Sequence, residues 1–145
     1  MYGLYYTYAI LSTAVGLPFP AVLRNYLFRL TAVHWAGVVL CYATLIWFAL
    51  TLKSFGDSFR IGIDENTRNK LVTNGTFSLS RNPLYLAFIV FLLGMLLTHP
   101  NLAACVALVL FAAAIHRQIL REEKFLRNHY GQEYEEYCRQ VRRYI

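Results

Sequence analysis

Hydrophobic and polar positions along this chain fall in long blocks rather than in short alternation. Four apolar stretches stand out, at residues 2–23, 30–52, 83–98 and 102–115. The second holds 23 residues with no formal charge, enough as a helix to cross about 30 Å of hydrocarbon. The first is interrupted by Pro18 and Pro20, which kink or end a helix. The third and fourth are joined by His99-Pro100-Asn101, a tight turn that makes them a helical hairpin. Each is shorter than the roughly 20 residues of a typical span, so their helices are expected to extend beyond the uncharged part. The pattern predicts an all-α polytopic membrane protein of about four transmembrane helices, with no internal repeat.

Between the second and third stretches lies a polar segment of about 30 residues, 53–82, too long for a plain connector. Hydrophobes recur through it (Phe55, Phe59, Ile61, Ile63, Leu71, Val72, Phe77), and Asn74-Gly75 is a strong turn signal. A folded cap against the membrane face is expected. Beyond residue 115, Phe111, Ile115, Ile119, Glu122 and Leu126 follow one another at helical spacing, which draws a single stripe with Glu122 on it. Glu123 is about 100° away, toward the line of His116. Gly131 breaks this helix, and a second follows in QEYEEYCRQVRRY, where Tyr134, Tyr137 and Val141 form a narrow apolar seam suited to an interfacial segment or lid. The chain therefore reads as one domain, 1–145: two N-terminal spans (1–52), a loop (53–82), a hairpin (83–115) and C-terminal helices (116–145).

Composition agrees with lipid as the solvent. The chain is 57% hydrophobic and 15% charged, with a mean hydropathy of +0.39, whereas soluble chains are about 25% charged. The N-terminus has neither a basic region nor a small-residue cleavage site, so the first apolar segment is expected to be retained. The net charge of +6 is explained by cytoplasmic flanks and anionic headgroups rather than by nucleic acid. Two Lys/Arg fall in the first link (Arg24, Arg29), five in 53–82, none in the third link and seven after residue 115. That asymmetry places the N-terminus, the 53–82 loop and the C-terminus in the cytoplasm. Cys41, Cys105 and Cys138 have no metal-ligand spacing and read as small hydrophobes, so no metal is implied. His34, alone in the second span, reads as a hydrogen-bonded packing residue. Trp35 and Trp47 fit either interfacial anchors or helix packing.

Chemistry is concentrated at two places. In Arg81-Asn82-Pro83, Asn is a favoured N-cap and Pro a favoured first helical residue; beside Arg81, such a helix end attracts carboxylates and phosphates. The plainer alternative is a cap with a headgroup anchor. Glu122, projecting from an apolar stripe, needs a partner or ligand; a salt bridge to Arg81 or a loop cation stands beside a functional role. No glycine-rich nucleotide fingerprint, HExxH or GxSxG is present. The apolar segments also lack the acid that a proton-coupled pump needs.

Taken together, LVTNGTFSLSRNPLYLAF (71–88), REEKFLRNHYGQEYEEY (121–137) and VRRYI resemble the integral membrane methyltransferases related to isoprenylcysteine carboxyl methyltransferase and the phospholipid methyltransferases. SFGDSFRIGID (54–64) is similar to a segment of bacterial members. The family's first block is Arg-His-Pro-x-Tyr-x-Gly. Arg81, Pro83 and Tyr85 match it, Asn82 replaces the His and Ala87 the Gly. The paired glutamates of the second block are Glu122 and Glu123; the Arg common four residues before them is Gln118 here, with Arg117 adjacent.

The resemblance implies an S-adenosylmethionine-dependent enzyme without a Rossmann domain, releasing S-adenosylhomocysteine. It implies a cofactor site from Arg81, Asn82, Pro83, Tyr85, Leu86, Glu122 and Glu123, covered by Tyr134 and Tyr137. Catalytic roles would fall to Glu122 or Glu133 as a base for an amine acceptor, and to Arg117 or Arg121 in orienting a carboxylate. The expected acceptor is lipophilic, a prenylated or other membrane-associated molecule reached among membrane lipids. The alternatives are a non-enzymatic four-helix scaffold or small transporter, and an NADPH-dependent reductase related to the sterol reductases.

Overall fold

The computed structural model describes residues 26–55 and 71–145, together with Tyr8 and Val15. The first apolar stretch, and with it the count of four spans, lies outside the described residues, as does the 56–70 part of the polar loop. All secondary structure among the described residues is helical: α1 (Thr31–Phe55), a 3-10 turn (Gly75–Ser78), α2 (Pro83–Thr98), α3 (Leu102–Tyr130) and α4 (Gln132–Gln140).

The helices follow from the apolar blocks, because in hydrocarbon a chain must satisfy its backbone hydrogen bonds within the segment. Among the described residues, α1 and α3 are long and apolar enough to cross a membrane, and α2 is a shorter apolar helix. Large apolar side chains stand outward on α1, where Trp35, Val39, Tyr42 and Ile46 are all more than 60% exposed. Val106, Val109 and Leu110 do the same on α3. Such a surface fits lipid and not water.

One difference from the sequence pattern concerns a helix end. As the stripe from Phe111 to Leu126 and the break at Gly131 led one to expect, α3 runs past residue 115 as one 29-residue helix to Tyr130. The last helix is shorter than the QEYEEYCRQVRRY reading. It stops at Gln140, and Val141 is extended, which frees the backbone carbonyls of Arg142 and Arg143 to accept bonds from elsewhere. Gly131, between α3 and α4, has φ +57°, a conformation that glycine adopts without a steric penalty.

The chain divides into two compact units, residues 1–41 with 89–114, and residues 42–88 with 115–145. In the first, α1 and α2 approach through glycine. A Cβ on Gly94 would lie 2.7 Å from Cys41 Sγ and 3.0 Å from the Gly37 carbonyl oxygen, so only small residues allow this contact. Asn101 starts α3 as a true N-cap: its Oδ1 accepts the Ala104 N–H at 2.8 Å. The hairpin turn expected at His99-Pro100-Asn101 is therefore present.

In the second unit, Trp47 Nε1–H donates to the Pro83 carbonyl at 3.1 Å, so this Trp packs between helices, whereas Trp35 is exposed. Phe55 and Phe77 meet edge to face, 4.7 Å between centroids. The Asn74-Gly75 turn is formed, with Gly75 at φ +60°; a Cβ there would collide with Ser54 Oγ. The described half of the polar loop is thus folded, with Thr76 and Phe77 buried.

Candidate functional site

Pro83 is the first residue of α2, and the Leu86 N–H donates to the Asn82 carbonyl at 3.0 Å. The helix start is where sequence placed it, but the Asn82 side chain does not cap it. Its Nδ2 donates instead to the Arg143 carbonyl (3.2 Å) and to Glu123 Oε1 (3.4 Å). One amide nitrogen thus serves two acceptors, which a single imidazole nitrogen with one proton cannot do. That gives a physical reason for Asn at the position where the family pattern has His.

On α3 the stripe that turns inward is Ile115, Ile119 and Glu123, all buried. Phe111 is exposed and Glu122 only half-buried. The inward carboxylate is therefore Glu123 rather than Glu122, a correction of one position in helix phase. Glu123, 4% exposed, lies 3.4 Å from Arg81 Nη2. Arg143 donates to it through Nε, at 3.1 Å to each oxygen, and through Nη2 at 2.8 Å. A buried carboxylate is tolerable only when paired and hydrogen-bonded in this way.

Glu122 belongs to a separate, more open arrangement. Its Oε1 accepts the Tyr85 hydroxyl at 2.5 Å and Gln118 Nε2 at 2.9 Å. Gln118 thus occupies the place of the family's Arg as a neutral donor, and Arg117, next to it, is exposed. The second oxygen of Glu122 accepts no hydrogen bond among the described residues.

The C-terminal segment straps across this cluster. The Arg81 N–H donates to the Arg142 carbonyl at 3.0 Å, and Ser80 Oγ to the Arg143 carbonyl at 3.3 Å. Tyr144 reaches His116, hydroxyl to Nδ1, at 2.7 Å. Hydrogen bonding to Glu123 raises the Arg143 guanidinium above its ordinary value. Beneath the strap, Tyr134 and Tyr137 are 1% and 7% exposed. The Tyr137 hydroxyl donates to the Phe77 carbonyl at 2.6 Å, and burial pushes its phenol up to about 12. Arg81 closes the cluster against the Cys138 thiol, and its Nε is buried with no hydrogen-bond partner among the described residues.

Of the residues singled out in the sequence, Arg81, Asn82, Pro83, Tyr85, Glu122 and Glu123 come together. Leu86 is half-buried in the first turn of α2, and Ala87, at the family's Gly position, is 2% exposed. Tyr134 and Tyr137 are packed into the second unit, while Arg117, Arg121 and Glu133 are exposed. Sequence reasoning missed Arg143 and Ser80. The arginine pair in VRRYI was the available signal, since a buried glutamate needs a cation.

Apolar helices with outward lipid-like faces, carrying a charged cluster where α2 begins and α3 turns polar, define an α-helical membrane protein. The chain belongs to the phospholipid methyltransferase family, whose profile matches residues 30–133. It is 33% identical over 130 residues to two curated proteins named probable protein-S-isoprenylcysteine O-methyltransferase, from Oryza sativa subsp. indica and subsp. japonica. The match covers 87% of this chain and 65% of each relative, so the chain spans just under two thirds of their length. No solved structure gives a significant match.

Proposed function

We propose that the protein transfers a methyl group from S-adenosylmethionine to a lipophilic or membrane-associated acceptor, at the cluster formed by Arg81, Asn82, Tyr85 and Glu122. The observation that carries this reading is that two polar groups of the second unit have no hydrogen-bond partner among the described residues. Arg81 offers a buried N–H with no acceptor, and Glu122 offers a carboxylate oxygen with no donor. A ligand with both a carboxylate and an ammonium, as S-adenosylmethionine has, suits that donor and that acceptor.

When bound, the cofactor supplies an electrophilic methyl group on its sulfonium. The residues of this chain hold and align it. Arg81 receives the carboxylate, Glu122 the ammonium or ribose hydroxyls, and Tyr85 and Gln118 fix the Glu122 rotamer. Glu123 is saturated by Arg143, Arg81 and Asn82 and acts by positioning Arg81. Tyr134 and Tyr137 form the floor under the strap. Alignment and exclusion of water are the main contributions such a site makes to an in-line displacement.

A carboxylate acceptor of isoprenylcysteine type needs only orientation, for which the exposed Arg117 and Arg121 stand on α3; the name of the two rice relatives favours it. A lipid amine, favoured by the family's name, needs a base, and Glu122 or Glu133 would serve. The Lys/Arg distribution supports four spans with both termini and the 53–82 loop cytoplasmic.

Isothermal titration of the purified chain with S-adenosylmethionine, S-adenosylhomocysteine and NADPH tests the reading. Binding of the first two and not the third is expected. No binding of either methyl-cofactor form would leave a scaffold or transporter, and NADPH binding alone a reductase. Mass spectrometry of lipid extracts incubated with methyl-labelled cofactor identifies the acceptor.

A further inference from the structure

Beyond Ile115, α3 carries four cations, Arg117, Arg121, Lys124 and Arg127, and all four are exposed. At about 100° per residue they fall within a sector of about 120° around the helix axis. Leu120 and Asn128 share that sector and are exposed as well. The two acids of this stretch, Glu122 and Glu123, stand about 100° or more from its middle. Glu123 is turned inward to Arg143, and Glu122 accepts from Tyr85 and Gln118. None of the four cations has a hydrogen bond or ion pair among the described residues. Like charges three and four residues apart on a helix destabilise it, so this side of α3 carries a cost that a bound anion would relieve.

The depth of the cations points to the anion. α3 is apolar enough to cross a membrane over its first part, and about 30 Å of hydrocarbon takes about 20 residues of helix. Counted from Leu102, the hydrocarbon ends near Arg121. Arg117 and Arg121 then reach along the helix toward the phosphates, and Lys124 and Arg127 follow within about two turns, at the level of the headgroups. By the phase of α3 itself, the sector continues the side that carries Val106 and Leu110, 51% and 59% exposed, whose apolar surface fits lipid. A nucleic acid or an acidic protein would have to reach a face that begins at the hydrocarbon edge, where lipid headgroups already lie.

We propose that this side of α3 binds the phosphate groups of anionic phospholipids in the leaflet from which the helix emerges. The four cations attract the phosphates, and Leu120 among them lies against the glycerol and first acyl carbons. A net negative headgroup is preferred to a zwitterionic one, because a sector with four cations and no acid leaves a choline or ethanolamine cation repelled and unpaired. The surface is independent of the methyl-transfer reading.

The test uses the full chain in detergent micelles, offered equal amounts of phosphatidylglycerol and phosphatidylcholine, with retained lipids counted by native mass spectrometry. A several-fold preference for phosphatidylglycerol is expected. Each cation near an anionic membrane surface contributes about fivefold to binding, so the double variant Lys124→Gln/Arg127→Gln should lose about tenfold or more in phosphatidylglycerol affinity and none in phosphatidylcholine affinity. Lys124→Arg/Arg127→Lys keeps the charge and should match the parent. Both positions are exposed, so thermal unfolding of the variants should stay close to the parent's, and S-adenosylmethionine should bind the Gln variant as it binds the parent. Lys53→Gln, which removes a cation from the last turn of α1, should keep the preference. An equal loss in Lys53→Gln would overturn the proposal in favour of diffuse surface charge. Displacement of phosphatidylglycerol by inorganic phosphate, but not by chloride at the same ionic strength, would overturn it in favour of a free-anion site. Loss of S-adenosylmethionine binding in the folded Gln variant would place the cations in the cofactor site instead. No preference in the parent, or one that the folded Gln variant retains in full, would overturn it outright.

Discussion

Glu123 and Arg143, 20 residues apart in sequence, form a forked ion pair in which Nε reaches both carboxylate oxygens at 3.1 Å and Nη2 reaches Oε2 at 2.8 Å. This pair ties the final segment of the chain to α3, and through the Arg143 carbonyl to Ser80 and Asn82. A strap of five residues thereby fixes the start of α2 against the polar part of α3.

Removing one member of the pair leaves a buried charge without its partner. The Glu123 side chain is 5% exposed and that of Arg143 33%, so Arg143→Gln is the more informative change. It is expected to cost about 3 kcal/mol, the low end for breaking a buried pair because one partner reaches solvent. Glu123→Gln should cost less in the Arg143→Gln background than alone. Chemical unfolding in detergent measures the cycle, and strict additivity would show that the two residues do not act as a pair.

Two glycines separate backbone strain from steric conflict. Gly131→Ala meets open space, since nothing lies within 4 Å of its Cβ position, and should cost about 1–3 kcal/mol from the backbone alone. Gly75→Ala meets Ser54 Oγ as well and should cost more. Adding Ser54→Ala should recover part of the difference at position 75 and nothing at 131, as read from unfolding midpoints.

In the first unit the Gly37–Gly94 contact sets the approach of α1 and α2. Gly94→Ala places a methyl 2.7 Å from Cys41 Sγ, overpacking of a kind that costs about 1–3 kcal/mol. Cys41→Ala should offset part of that loss when combined with it. A destabilisation of Gly94→Ala that Cys41→Ala leaves untouched would assign the conflict to the backbone of α1 instead.

Much of this arrangement was legible in the sequence. Charge-free runs flanked by Pro83 and by His99-Pro100-Asn101 delimited α2, and Asn74-Gly75 and Gly131 marked turns that both need positive φ. The meeting of the Arg81 block with the paired glutamates was legible through the family resemblance. The phase of α3 was not. Phe111 belonged to the apolar stripe by spacing, yet it is exposed, because a lipid-facing side of a helix is as apolar as its packed side. Periodicity then has no contrast to report, and the stripe slipped from Glu123 to Glu122. Arg143 was hidden for another reason: a cation in a run of arginines looks solvated until the buried acid it serves is known.

Alkaline stability gives a check on the floor of the cluster. Burial raises the Tyr137 phenol to about 12 from an ordinary value of 10.0, so the folded state holds this proton more tightly than the unfolded one. The stabilisation is present in full below pH 10 and is lost as pH rises toward 12. Tyr137→Phe should lose about 1 kcal/mol at neutral pH with the bond to the Phe77 carbonyl. Its unfolding temperature should then fall less steeply than the parent's between pH 10 and 12. Parallel pH profiles would mean that another group carries the alkaline loss.

Glu122 and Glu136 are both glutamates hydrogen-bonded to a glutamine four residues before them on a helix, Gln118 and Gln132. They differ in what else is near. Glu122 is half-buried against Tyr85, while Glu136 is exposed on α4. If Glu122 receives the ammonium or ribose of S-adenosylmethionine, Glu122→Gln removes a charged hydrogen bond worth about 1.5–3 kcal/mol. Binding then weakens by about tenfold or more, with little change in the unfolding midpoint. Glu136→Gln should bind as the parent does. Glu123→Gln should show the reverse pattern from Glu122→Gln, a large loss of stability with a smaller and indirect loss of binding. Titration calorimetry and thermal unfolding on the same three variants therefore distinguish a ligand-facing carboxylate from a structural one. Equal binding losses for Glu122→Gln and Glu136→Gln would move the cofactor away from α2 and α3 altogether.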